Sequence, residues 1–360
     1  MALELKTDWE ETKARYRAWW AGDVLDRCAI AVTAPRDNAS TLVPPTRPAT
    51  PLARWTDLDY ATAYNDYAMR RTFYGGEAFP IWTVGYPGHT AIPAFLGCPT
   101  DLDFDTGWWN PIVVGESLEE VFNLHIDPQH PWWQFTLRSL ERAARESAGR
   151  CIPSIGAFGG CGDTLAALRG TDRLLLDVID RPDEVRAAEE YLMQMFYTVY
   201  DTCYQLVHDS SDAGSACWFG FWAPGKTYAA HNDFSYMISP RMFQDIFLPV
   251  IEAQTQFLDY TVYHVDGICA FAHVPALCEL PRLHGLQILP GAGKPSPLTY
   301  MDTLKYVQRA GKGLQISLEA HEVETALREL SSKGLFIETW CASEAEAREL
   351  LRNVARWSHG

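Results

Sequence analysis

The sequence of 360 residues predicts an α/β fold, specifically a (β/α)8 TIM-like barrel with an elaborated N-terminal region. From residue 151 onward, at least six short apolar runs alternate with longer segments of helical composition, which is typical of repeated βα units and a parallel sheet. No G-x-G-x-x-G follows any of these runs, so the usual dinucleotide fingerprint of an open doubly wound sheet is missing. Barrels of this length often form one domain.

Residues 1–150 are predicted to be a helical and loop-rich extension that contributes early barrel elements and a lid. Their composition predicts helices over residues 8–21, 57–72 and 131–148 and a short buried strand over residues 27–33. Between them, residues 34–51 are rich in proline, serine and threonine and predict a loop. Residues 151–360 are predicted to be the main part of the barrel, and the two parts together to be one structural domain.

In the main part, each predicted strand is followed by a loop and then by a helix. Ser239 and Pro240 begin one such helix as a cap and a first-turn proline. The strands and their loops are CIPSIGAFGG, GSACWFGFWAP, DYTVYHVDG, LHGLQILPGAG, GLQISLEA and GLFIETWCAS, and the helices cover residues 163–179, 182–209, 239–259, 274–280, 297–310, 323–332 and 343–357.

Charge and cysteine usage exclude several classes of partner. The formal net charge of −16 argues against nucleic acid and against an anionic membrane surface. The sequence shows no signal peptide, no apolar stretch long enough to cross a membrane and no CxxC among its nine cysteines. These features predict a cytoplasmic protein with reduced thiols that acts on a small molecule. A homodimer is left open as its assembly.

In a barrel of this kind, the active-site groups follow the carboxyl ends of the strands. The segment YHVDG ends a predicted strand with His264 and Asp266, just before Gly267. A histidine at that position can bind a metal or transfer protons near neutral pH, or it can simply hydrogen-bond to the backbone. Asp233, after an aromatic loop, can either cap a turn or reach the site. We predict His264, Asp266 and Asp233 as catalytic residues.

The last predicted strand ends at Cys341, which should face the same mouth of the barrel as His264. A thiolate, an imidazole and a carboxylate together make a Zn²⁺ site with an open position. Asp266 and Glu319 compete for the carboxylate place, so the predicted metal ligands are His264, Cys341, Asp266 and Glu319. The alternatives are an apolar filler for the cysteine and a helix cap or exposed charge for a carboxylate.

Side chains at the other strand ends are predicted to bind the substrate. They include aromatic residues, which favour a cationic or aromatic ligand. Trp108 belongs to one of three tryptophan pairs in which one member is expected to line a cavity or an interface, with core packing as the alternative. The predicted substrate-binding residues are Trp218, Phe221, Trp222, Asp163, Trp108 and Glu319.

Several motifs in this order resemble the uroporphyrinogen decarboxylase superfamily. They are GGCGDTLAALRG, DRPDEV, SYMISPRMFQDIFLPVI, YHVDG and GLQILPGAG. The resemblance covers the chain from about residue 151 to the end, and AWWAGDVLDR extends it loosely into the first half. It implies a barrel enzyme. The R-Q-A-G-R segment of the porphyrinogen-decarboxylating branch is absent from this sequence.

The corrinoid-linked, cobalamin-dependent methyltransferase branch is the most similar in design. Its members bind zinc through a His-x-Cys pair and a late cysteine. The resemblance places His264 on that histidine and Cys341 on the late cysteine, whereas Asp266 replaces the middle cysteine. It thus implies Zn²⁺ and a corrinoid carried by a partner protein.

Three functions follow in order of preference. The first is a zinc-assisted methyltransferase or demethylase that moves a methyl group between a small substrate and a corrinoid or thiol acceptor. The second is a metal-free decarboxylase or other lyase, in which Asp266 or Asp233 stabilises a protonated intermediate and His264 transfers the proton. The third is a non-catalytic ligand-binding barrel.

Overall fold

The computed structural model describes residues 3–87 and 90–358. The strands are β1 (Ala29–Pro35), β2 (Thr72–Gly76), β3 (Ile81–Trp82), β4 (Thr100–Leu102), β5 (Gly107–Trp109), β6 (Ile152–Pro153), β7 (Ser215–Ala216), β8 (Trp222–Ala223), β9 (Thr227–His231), β10 (Tyr260–Asp266), β11 (Gly285–Leu289), β12 (Gly313–Ser317) and β13 (Leu335–Trp340).

The α-helices of the first half are α1 (Trp9–Trp20), α2 (Pro51–Thr56), α3 (Leu58–Arg71), α4 (Ile92–Phe95), α5 (Pro131–Glu146), α6 (Asp163–Arg169) and α7 (Thr171–Asp180). Those of the second half are α8 (Pro182–Val207), α9 (Pro240–Met242), α10 (Leu248–Phe257), α11 (Val274–Cys278), α12 (Met301–Arg309), α13 (Val323–Glu329) and α14 (Glu344–Trp357). A π-helical turn, Phe243–Phe247, joins α9 to α10.

A seven-stranded sheet forms the centre of the molecule, in the order β2-β1-β13-β12-β11-β10-β9. All neighbouring strands are parallel except β2, which pairs antiparallel with β1 at one edge. Three short pairs complete the strands of the described residues: β3 with β6, β4 with β5, and β7 with β8. The chain is therefore a mixed α/β protein with a mostly parallel sheet, consistent with a barrel-like fold.

The helix boundaries confirm much of the predicted pattern. α1, α3 and α5 begin and end within two residues of their predicted limits. Ser239 caps α9 through a hydrogen bond that its side chain accepts from the Met242 N–H, with Pro240 in the first turn. β2 and β9 were not predicted, and β9 lies within a segment that the sequence analysis took as an aromatic loop.

Alternation along the strands divides the core into two parts. Leu286, Leu314 and Ile337 point to the outer face of the sheet, where they pack with the helices in the largest apolar cluster. Val262 and Phe336 point to the inner face, into a second cluster that contains the aromatic residues of α1. Because side chains alternate between faces in a strand, position along each strand decides which face a residue reaches.

Within the described ranges, no helix combines the length and the apolar character that crossing a bilayer requires.

Candidate active site

His264 and Asp266 lie on the inner face of β10 at its carboxyl end. Val262 is two residues earlier and belongs to the inner cluster, whereas Tyr263 and Val265 belong to the outer one. The period of two therefore carries His264 and Asp266 to the inner side, above the apolar layer that holds Val262. Both side chains are half-buried.

Asp233 reaches His264 and Asp266 from the neighbouring strand. It follows β9 and begins the short 3-10 helix Asp233–Met237. One ligand atom from each of the three side chains can be chosen so that all three atoms lie within 4.8 Å of one another. We call Asp233, His264 and Asp266 the trio. The structure thus brings together the three residues that the sequence predicts as catalytic.

The imidazole of His264 is held on two sides. Its Nδ1 hydrogen-bonds to the Oε1 of Gln287 on β11, the strand next to its own. The ring of Trp218 lies edge-on to it, with centroids 5.4 Å apart. Because an amide oxygen can only accept, Nδ1 is the donor in this arrangement, and in the neutral ring Nε2 keeps its lone pair. A histidine in this tautomer is ready to bind a cation or to accept a proton through Nε2.

Asp266 has an unfilled hydrogen-bonding position. Its Oδ1 is buried and has no hydrogen-bond partner among the described residues. Burial raises the pKa of the Asp266 carboxyl, while the neighbouring His264 opposes the rise. The next residue, Gly267, has φ of +88°, and a Cβ there would lie 2.6 Å from the ring of Tyr236. Only glycine fits this turn without strain, and the turn ends β10 with Asp266 directed into the site.

Asp163, the first residue of α6, holds the loop that carries Asp233. Its carboxylate accepts hydrogen bonds from the backbone N–H groups of Asp233 at 3.0 Å and Phe234 at 2.9 Å. The Nε2 of His231 lies 3.6 Å from the same carboxylate. Burial raises the pKa of Asp163 to about 7, helped by the charge of Asp233 and opposed by these backbone bonds. Asp163 therefore positions one member of the trio.

A cleft of about 560 Å³ reaches the trio at Asp233. Its lining also includes Asp163 and the two tryptophans of β5, whereas His264 and Asp266 do not line it. Trp108 is 60% exposed, so its ring is not packed in a core and is accessible to a ligand in the cleft. A volume of this size is typical of a site for a small molecule.

The structure does not bring Cys341 to the trio, which corrects its predicted role as a ligand. Phe336 and Glu338 lie on the inner face of β13. Cys341 is an odd number of residues away from both, so its side chain faces the helices on the outer side. There it packs in the outer cluster with Ala347 and Leu350 of α14. Burial raises the pKa of its thiol to about 11, which leaves it protonated.

Glu319 also lies apart from the trio. Its side chain caps the short helix Ala320–Glu322 in a reciprocal arrangement, in which Glu322 accepts from the backbone N–H of Glu319 at 3.1 Å. The residue is exposed, next to a separate pocket that contains Lys294 and His321. Glu319 therefore serves as a helix cap, the alternative that the sequence had left open.

The predicted aromatic residues separate into two groups. Trp218 contacts the site, with its ring 5.4 Å from His264 and 5.5 Å from His231. Phe221 and Trp222 are only 2% and 0% exposed, in the inner aromatic cluster with α1. They close the bottom of the site and do not line the cleft.

Sequence reasoning missed a row of polar residues on the inner face. Four of them are direct register partners on adjacent strands, since His231 pairs with His264, His264 with Gln287, and Gln287 with Gln315. Glu338 on β13 joins the row through a hydrogen bond that it accepts from the Gln315 Nε2 at 3.4 Å. The repeated tetrapeptide GLQI, in β11 and β12, was the visible sign, because an isolated glutamine within an apolar strand faces the opposite side from its neighbours.

The trio fits a divalent cation. One imidazole nitrogen and two carboxylate oxygens suit Zn²⁺, and they also suit harder ions such as Mn²⁺ or Fe²⁺. A cation would satisfy the unpaired Oδ1 of Asp266. The contact from His264 to Gln287 is of the kind that orients a metal-binding histidine through its other nitrogen.

Among solved structures, a methyltransferase from Methanosarcina mazei is similar in fold. The TM-score is 0.64, the match covers 96% of this chain and 98% of that chain, and the sequences are 11% identical. The shared feature is the fold. No protein-family model matches the chain, and a search of curated proteins gave no match.

Proposed function

We propose that this chain is a metal-dependent methyltransferase that moves a methyl group between a small substrate and a corrinoid or thiol acceptor. The trio of Asp233, His264 and Asp266 beside an open cleft is the observation that carries the proposal. The fold that the chain shares with a methyltransferase supports it, as does the resemblance of its motifs to the corrinoid-linked branch.

We propose Zn²⁺ as the cation and the trio as its ligands. Zinc in such a site supplies Lewis acidity, which polarises a methyl-bearing heteroatom or lowers the pKa of a thiol acceptor. Because two of the three ligands are carboxylates, this set is harder than one built on thiolates. Metal replacement with Mn²⁺ or Fe²⁺ is therefore a natural part of its characterisation.

The protein's own residues orient the reaction. Gln287 fixes the ring of His264 through Nδ1 and keeps Nε2 directed away from that bond. Asp163 anchors the backbone at Asp233 with two hydrogen bonds, so the trio is assembled before any ligand arrives. The ring of Trp218 packs edge-on against the imidazole and helps to hold it in place.

The cleft between the tryptophans of β5 and the trio is the proposed substrate pocket. Its volume of about 560 Å³ suits a small methyl donor. We propose that a corrinoid acceptor remains on its own protein, which would dock over this open edge. Aromatic walls such as the exposed Trp108 favour a cationic or aromatic donor.

We also infer that the strands close into a complete (β/α)8 barrel. A parallel bridge between Ser154 and Ala216 links the β3–β6 pair to β7. Residues from both sides of the gap, such as Ile152 and Phe336, pack in one inner cluster. A cluster shared by all these strands is what a closed sheet produces. A crystal structure that showed an open sheet with solvent at its inner face would contradict this inference.

The test combines metal analysis with an activity assay. Protein as isolated should carry about one zinc per chain, and His264→Ala or Asp233→Asn should weaken zinc binding at least about 100-fold. The same variants should lose methyl transfer from methylcobalamin to a small thiol. His321→Ala is the matched control, because that histidine is exposed on a neighbouring loop of the same sheet edge.

Two outcomes would overturn the proposal. One is protein that binds no divalent metal even after reconstitution. The other is methyl transfer that continues unchanged in both trio variants.

The second candidate function is a metal-free decarboxylase, and the protonation of the site favours it. Burial brings the pKa of Asp163 to about 7, so a protonated carboxyl group is available there near neutral pH, and burial also raises the pKa of Asp266. Such groups can protonate the carbanion that loss of CO₂ leaves behind. Release of CO₂ that is insensitive to chelators but lost in His264→Ala would establish this function instead.

A further inference from the structure

A second polar site lies on the inner face of the sheet, on β12 and β13. Glu338 has the same orientation as Phe336, two residues earlier, which packs in the inner cluster. Its Oε2 accepts hydrogen bonds from the Ser317 Oγ at 3.2 Å and from the Gln315 Nε2 at 3.4 Å. Its register partner on β1 is Ala31, whose small side chain leaves space beside the carboxylate.

The carboxylate of Glu338 is accessible to solvent. The residue is exposed, yet burial raises the pKa of its carboxyl against the two hydrogen bonds that favour the charged form. Both hydrogen bonds fall on Oε2 of an exposed side chain, so a ligand can approach the carboxylate.

Gln315 supplies an independent indication of a ligand. The residue is only 1% exposed, and its amide nitrogen bonds to Glu338. Its Oε1 has no hydrogen-bond partner among the described residues. A buried amide oxygen without a donor is energetically unfavourable, and an N–H donor from a ligand would satisfy it.

We propose that Glu338, Gln315 and Ser317 form a subsite for an alkylammonium group that carries N–H donors. All three offer oxygen acceptors, and one of them carries the negative charge that a cation needs. A primary or secondary ammonium can donate to the Glu338 carboxylate and to the Gln315 Oε1 at once. A quaternary ammonium cannot, because it has no N–H, and a neutral alcohol lacks the charge.

The subsite and the trio belong to one polar row. His264, Gln287 and Gln315 are successive register partners, and Ser317 is the partner of Glu338. Three steps between strands correspond to about 14 Å along the sheet. The inference deepens the proposed function, on which it rests for its meaning, by naming an amine as the substrate class. Binding at the subsite can nonetheless be measured without any methyl transfer.

The experiment is a binding titration with n-butylammonium, n-butanol and tetramethylammonium as probes, followed by ligand-observed NMR. Butylammonium should bind, and the other two should bind at least about ten-fold more weakly. Glu338→Gln should weaken butylammonium binding roughly ten- to hundred-fold. Glu319→Gln is the matched control, because it removes the same charge from an exposed helix cap on the next loop and should leave the affinity unchanged.

Ser317→Ala gives a second, milder variant in case Glu338→Gln fails to fold. The loss of one neutral hydrogen bond should weaken binding roughly two- to ten-fold. Equal binding of n-butanol, tighter binding of tetramethylammonium, or an unchanged affinity in both variants would each overturn the subsite.

Titrations of protein with and without chelator separate the two proposals. If the trio holds no metal but butylammonium binding still depends on Glu338, the proposed metal chemistry fails and the subsite stands. If zinc binds normally but Glu338→Gln has no effect on the amine, the subsite fails and the metal chemistry stands.

Discussion

The inner face of the sheet has two layers that differ in the chemistry of their side chains. In the lower layer, Val262 and Phe336 pack against Tyr16 and Trp19 of α1 and against Phe221, all of them buried. In the upper layer, two residues further along the same strands, His264 and Glu338 are polar, and Gln315, the register partner of Phe336, joins the two layers. A step of two residues along β10 and β13 therefore separates apolar packing from polar side chains.

The lower layer is filled because α1 closes it. Ring centroids of Tyr16 and Phe336 lie 5.6 Å apart, and those of Phe221 and Phe336 lie 4.4 Å apart. The polar edges of the rings are also satisfied, since the Trp19 indole N–H donates to the Gly334 carbonyl at 2.9 Å. The polar row is itself largely buried, since His231, Gln287 and Gln315 are at most 5% exposed. The comparison teaches that the two layers differ more in side-chain chemistry than in burial.

The largest effect is expected in the lower layer. Phe336→Ala should destabilise the protein by about 3–5 kcal/mol, because it leaves a cavity in a packed aromatic cluster. Urea unfolding measures the change. Trp340→Ala, on the same strand but 58% exposed, is the control and should change stability by less than about 0.5 kcal/mol. Zinc content per folded chain should be the same in both. A loss of metal in folded Phe336→Ala would show that the two layers are not independent.

The second-largest effect on stability is expected at Glu189, whose carboxyl group lies outside both layers. Glu189 of α8 is buried, accepts a hydrogen bond from the Gly162 N–H at 3.0 Å, and has a pKa raised by burial to about 7. Between its ordinary pKa and this one, the folded state keeps a proton that the unfolded state has lost. Stability must therefore fall as pH rises through this window, by up to about 3 kcal/mol.

Glu189→Gln should remove that fall. The difference between the unfolding free energies of the variant and the wild-type protein should grow from about pH 5 to about pH 7 and then level off. Urea unfolding at a series of pH values measures it. A difference that stayed constant across the series would mean that Glu189 keeps its ordinary pKa in the folded protein.

Much of the fold followed from periodicity, and the site only in part. The alternation of apolar runs and helical segments predicted β10 to β13 and their helices, because each buried strand is a short apolar run. β9 was missed, since its sequence TYAAH is too short and mixed to show a period. The antiparallel β2 was missed for a further reason: it pairs with β1, which lies much earlier in the chain, and no local pattern shows such a pairing.

The site shows the same limit. His264 and Asp266 were found because they end a recognisable strand, and Asp233 because it follows an aromatic loop. The face of the sheet that Cys341 reaches was predicted wrongly, because a shift of one residue along a strand moves a side chain to the opposite face. The bond from His264 to Gln287 depends on the register of two strands, which no local pattern specifies.

Gln287 offers a finer test of the upper layer. Gln287→Met keeps the side-chain volume but removes the oxygen that orients His264, and it should weaken zinc binding roughly 10–100-fold. Gln315→Met is the matched control, because it makes the same change in the same GLQI context one strand further away. Competition with a zinc chelator measures both affinities. Equal losses in the two variants would indicate that the polarity of the whole row, and not one bond, governs the metal.

The smallest effect is expected at Cys341, on the opposite face of the sheet from both layers. With a pKa of about 11, its thiol is ionised in only about one molecule in ten thousand at neutral pH. It packs as a small apolar group against α14, so Cys341→Ala should cost about 1 kcal/mol or less in unfolding free energy. Zinc affinity and methyl transfer should not change. A large drop in zinc affinity in this variant would indicate that the thiol is a metal ligand after all and that the end of β13 faces the trio.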